Sequence, residues 1–62
     1  MRPREVVRRF RDAGWQETMG SEHVISVVSP GGLRLSISNH PGRDVPTGVL
    51  RKLERQSGVR LR

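Results

Sequence analysis

Two histidines, His23 and His40, are the residues of this sequence best suited to move a proton near neutral pH. A neutral imidazole can draw the proton from a ribose 2′-OH, after which the oxygen attacks the adjacent phosphorus. Arginines nearby can stabilise the negative charge that builds on the phosphate. Such chemistry acts on RNA and not on DNA, because the nucleophile belongs to the substrate, and it asks for no metal. His23 follows Gly20-Ser21-Glu22, read as a turn, and stands at the start of a β-branched run, which places it at an exposed sheet end. The plain alternative is a surface histidine without a role. His40 precedes Pro41 in a loop. It reads first as a turn residue bonding local backbone, and second as another acid–base group or a phosphate contact.

Other chemistries find less support. The chain has no cysteine, which excludes disulfides, thiolate metal sites and a cysteine nucleophile. No Ser-His-Asp spacing and no Gly-rich phosphate loop is legible. Neither an HxH nor an HxxxH pair exists, so neither a metal nor another cofactor is expected.

The charge points to a polyanion. Twelve Lys and Arg face six Asp and Glu, a formal net charge of +6, and Lys52 is the only lysine. A guanidinium fork fits phosphate oxygens two at a time. Arg4, Arg8 and Arg11 recur at helical spacing near the start, and Arg51, Lys52 and Arg55 form a basic side near the end. If the two helices are neighbours, these six residues make one RNA-binding surface; otherwise they are solvated helix faces. Phe10 and Trp15 are the only aromatic residues apart from the histidines, so a platform of stacked bases is not expected. Val24 to Val28 is too short to span a bilayer, and no long apolar stretch follows the basic N-terminus, so the expected location is the cytoplasm.

These residues need a scaffold, and 62 residues allow one domain over 1–62 with no deep cavity. A dimer or a bound partner would add stability. The first helix is expected from about Pro3 to Ala13, with Val6, Val7, Phe10 and Ala13 on one arc and Gly14 as the stop. Strands follow at about Trp15–Met19, His23–Ser29 and Leu33–Ser38. Gly20-Ser21 and Pro30-Gly31-Gly32 read as the turns. In the third strand Leu33, Leu35 and Ile37 share a face. The middle strand carries valines in both parities, and the face of His23, Ile25 and Val27 is expected to be partly covered, by a partner or a second copy. A last helix runs from Thr47, a plausible cap, to about Gly58, with Val49, Leu50 and Leu53 inward. Val59 and Leu61 can fold back onto the core. The fold class is α+β in the order α-β-β-β-α: a three-stranded antiparallel sheet with two helices on one face.

With these residues in view, the chain resembles the HicA family of toxin–antitoxin mRNA interferases over nearly its whole length. The opening helix running into Ala13-Gly14-Trp15 is similar to the family's start. Gly20-Ser21-Glu22-His23 resembles the family's Gly-Ser-(x)-His turn, in the form with one residue between. The most specific part is His40-Pro41-Gly42 through Val45-Pro46-Thr47-Gly48 into Leu50-Arg51, similar to the family's His-Pro segment and the run after it. The resemblance implies a fold like the double-stranded-RNA-binding domain, whose element order is the one read above. It implies RNA cleavage by the strand histidine, His23, with Gly20 and Ser21 shaping the turn that presents it. It implies mRNA as substrate and a HicB-type antitoxin that covers the histidine. The expected function is therefore a metal-independent endoribonuclease. Its alternatives are a non-catalytic module that binds double-stranded RNA or other nucleic acid, and a domain whose basic surface docks an acidic protein.

Overall fold

Pro3 opens the first helix, where its missing N–H leaves no bond unmade. A computed structural model describes residues 1–40 and 42–61. In it α1 spans Pro3–Asp12 and buries Val6, Val7 and Phe10. Pro41, part of the histidine–proline segment singled out above, and Arg62 lie outside the described residues. The helix stops because Gly14 turns left-handed, at φ +94°. The Trp15 N–H then returns to the Phe10 carbonyl at 2.9 Å and the Gly14 N–H to Arg11 at 2.9 Å, the paired bonds of a Schellman stop. Trp15 packs edge-on to Phe10, with centroids 4.9 Å apart, so the cap is also a core contact.

Three antiparallel strands follow in the order β1-β2-β3: β1 Gln16–Ser21, β2 Val24–Val28 and β3 Arg34–Ser38. Register resolves the ambiguous parity of β2. Ile25 pairs with Ile37 and Val27 with Leu35, and Ile25, Val27 and Ile37 are buried, while Val24 and Val28 are half-buried. The Ile25–Val27 face is covered by the chain's own α1, which packs on all three strands, and needs no outside partner. The β2–β3 turn is held by Ser29, whose hydroxyl accepts from the Leu33 N–H at 2.9 Å, with Gly32 at φ +93°. That turn draws Leu33 out of the strand, where the alternation places it, and leaves it exposed.

The β1–β2 connection corrects a second expectation. Gly20 and Ser21 do not form the turn; they are the last two residues of β1, and the turn is Glu22-His23. Thr18 pairs with Ser26 and Ser21 with Val24, so Met19 and Gly20 together stand opposite Ile25. This β-bulge accommodates one extra residue and re-aims the strand end. It also accounts for Met19, which is 96 % exposed although in a regular strand it would share the face of Glu17, the partner of buried Val27.

The last helix, α2, spans Thr47–Ser57. Pro46, not Thr47, occupies the cap position, and no side chain caps it. Leu50 and Leu53 are buried, whereas Val49 stays exposed. Gly58 ends the helix at φ +75°. The chain then folds back as expected: Leu61 is fully buried and its N–H donates to the Glu54 carboxylate at 2.8 Å. Side chains from both helices and from one face of the sheet form a single core. Ile37→Val at its centre is expected to cost about 0.5–1.5 kcal/mol, read as a lower urea midpoint with unchanged slope.

Candidate active site

The bulge and the loop after β3 bring the two histidines together. His23 is exposed in the β1–β2 turn, and His40 is exposed just beyond β3. Their rings lie 5.5 Å apart between centroids and within 22° of parallel. The contact follows from the sheet: β2 and β3 pair out to Val24 and Ser38, and the Asn39 N–H then donates to the His23 carbonyl at 2.8 Å. The loop carrying His40 is held further along as well. The Arg43 N–H closes a turn on the His40 carbonyl at 3.1 Å, and the Val45 N–H reaches the Met1 carbonyl at 2.7 Å. Val45 is buried, and Arg2 pairs with Asp44 at 3.3 Å. Among the described residues, neither imidazole has a hydrogen-bond or ion-pair partner, so the backbone bond that a turn histidine would make with His40 is not formed.

Gly20 stands where no side chain fits. A Cβ there would overlap the Val24 carbonyl oxygen and sit 3.0 Å from its carbon and 3.2 Å from the Ile25 Cα. The close approach of the two backbones sets where β1 ends and hence where the His23 turn sits. Ser21, paired with Val24, is exposed beside it.

An open groove of about 1040 Å³ runs between α1 and β1. Arg4, Arg11, Gly20, Ser21, Val24 and Asn39 are among its lining residues; neither histidine lines it, although Val24 adjoins His23 and Asn39 adjoins His40 in sequence. A neighbouring groove adds Arg8 to Arg4 and Arg11, so the three α1 arginines form one exposed stripe. Arg4 is partly engaged: its guanidinium donates to both carboxylate oxygens of Glu17 at 3.1 Å, tying α1 to the edge strand. Sequence reading misses that pair because it depends on where the helix crosses the sheet. It misses Asn39 too, whose backbone carries the link between the histidines. Arg51, Lys52 and Arg55 are exposed on α2, and the two arginine grooves contain none of them. Among the described residues, no three His, Asp or Glu side chains gather into a group that could hold a metal ion. No helix among them is long and apolar enough to cross a membrane.

Comparison with known families adds the remaining observation. The family model described as the HicA toxin of bacterial toxin–antitoxin matches residues 3–59, from the first turn of α1 to just past the end of α2. The chain belongs to the HicA toxin family. It is therefore a toxin of a toxin–antitoxin system, which implies an antitoxin as partner. The matched span includes both histidines, the Gly20 bulge and the α1 arginines. Searches of curated proteins and of solved structures return no match.

Proposed function

We propose that this HicA toxin is an endoribonuclease that cleaves mRNA in the cytoplasm without a metal ion, using His23 as the catalytic group. The observation that carries the reading is an exposed imidazole in a backbone-locked turn whose chain neighbour Val24 lines a groove shared with Arg4 and Arg11. His23 takes the proton from a ribose 2′-OH, the 2′-oxygen attacks phosphorus, and the chain breaks with a 2′,3′-cyclic phosphate on one side. Arg8 and Arg11, with Arg4 when Glu17 releases it, hold backbone phosphates along the stripe. Arg51, Lys52 and Arg55 serve a longer RNA that passes over α2. A HicB-type antitoxin neutralises the protein by covering the histidine turn, and a homodimer is compatible with a chain this small.

The test is the same long sequence offered as RNA and as single-stranded DNA. The expected result is cleavage of the RNA and intact DNA, because only RNA supplies the nucleophile. Cleavage of both rejects the 2′-OH mechanism. The second reading, a binding module without catalysis, is favoured by the same arginine stripe. It requires salt-sensitive binding with the RNA recovered whole.

A further inference from the structure

We infer that His40 is the second catalytic group of this site, the acid that protonates the leaving 5′-oxygen. The inference rests on the ribonuclease reading above and assigns what that reading leaves open. Breaking a phosphodiester by its own 2′-OH needs two proton transfers: one from the entering oxygen and one to the leaving oxygen. A single neutral imidazole performs the first. The second needs a protonated group within reach of the leaving oxygen of the same phosphodiester.

Among the described residues, His40 is the nearest such group the structure offers to His23. Its ring stacks on that of His23, with centroids 5.5 Å apart and planes within 22° of parallel, so two proton carriers stand side by side within reach of one phosphodiester. Each ring can then address a different oxygen of one phosphodiester at hydrogen-bond reach, about 2.6–3.2 Å. The spacing is built and not incidental. The Asn39 N–H bonded to the His23 carbonyl joins the two residues through backbone, and the anchor at Val45 holds the far side of the loop. Both rings are exposed, and among the described residues neither spends its nitrogens on a protein partner.

Neutral His23 accepts the 2′-hydroxyl proton as the 2′-O–P bond forms. Protonated His40 gives its proton to the 5′-oxygen as the P–O5′ bond breaks. The products are a 2′,3′-cyclic phosphate and a 5′-hydroxyl, and solvent water returns each histidine to its starting state.

The experiment uses an RNA containing a site that the wild type cuts, made with oxygen or with sulfur at the leaving 5′ position. A thiolate leaves without protonation, so the sulfur substrate does not need an acid. The expected result is that His40→Ala and His40→Gln cut the oxygen substrate about 10²–10⁴-fold more slowly than wild type, yet cut the sulfur substrate close to the wild-type rate. His23→Ala stays slow on both. Equal slowing of the two substrates by the His40 variants makes His40 a structural residue and overturns the inference, as does full activity on the oxygen substrate. Wild-type protein that cuts no long RNA overturns the ribonuclease reading itself, and this inference with it.

Discussion

Replacing Gly20 with alanine is expected to abolish RNA cleavage and to destabilise the fold by about 1–3 kcal/mol or more. The added methyl has nowhere to go, because the atoms it meets are backbone atoms of Val24 and Ile25 and not the end of a mobile side chain. Relief requires β1 and β2 to separate at the bulge, and this moves the Glu22-His23 turn that follows directly. Thermal melting reads the stability: about 4–8 °C is lost per kcal/mol in a domain of this size. Gly48 is the control. It lies in α2, has no positive φ, and a methyl added to it would meet nothing within 4 Å. Gly48→Ala is therefore expected to hold or raise the melting temperature, since alanine favours a helix over glycine by roughly 0.5–1 kcal/mol. A Gly20→Ala protein that melts and cleaves like wild type would show that the close approach is not what positions the turn.

The second large effect is on chemistry alone. His23→Ala is expected to slow cleavage by at least about 10²–10⁴-fold. Its stability should stay within about 0.5 kcal/mol of wild type, the range for surface positions, because the side chain is exposed and stacks only on the His40 ring, which is exposed as well. Single-turnover rates and a melting curve on the same preparation separate the two quantities. Loss of activity together with loss of the melting transition would assign His23 a structural role. Retention of both would remove it from the mechanism. Glu22, its neighbour in the turn, provides a comparison: Glu22→Ala changes the local charge but removes no proton carrier from the ring pair.

The fold was largely legible because its signals are local. Pro3, the arc of Val6, Val7 and Phe10, and Gly14 define α1 from one stretch of chain, and Leu50, Leu53 and Gly58 do the same for α2. The errors fall where pairing across strands overrides a local pattern. Leu33 continues the alternation of β3, but the Ser29-centred turn claims it. Gly20-Ser21 has the composition of a turn, yet the glycine serves a close strand approach and the turn lies two residues later. The candidate site was half legible. His23, His40 and the α1 arginines could be named from residue type and helical spacing. That the two histidines stack depends on β2 and β3 pairing to their very ends and on the loop being tied back to Met1, which no local pattern encodes. Likewise the Arg4–Glu17 ion pair depends on where α1 crosses the edge strand.

The central claim is that this toxin breaks RNA by proton transfer through histidine. The most direct measurement is incubation of the purified wild-type protein with a long single-stranded RNA in EDTA, followed by analysis of the new ends. Fragments bearing 2′,3′-cyclic phosphates and 5′-hydroxyls are the expected result. Intact RNA in EDTA with cleavage restored by added divalent metal, or fragments bearing 5′-phosphates, would contradict it.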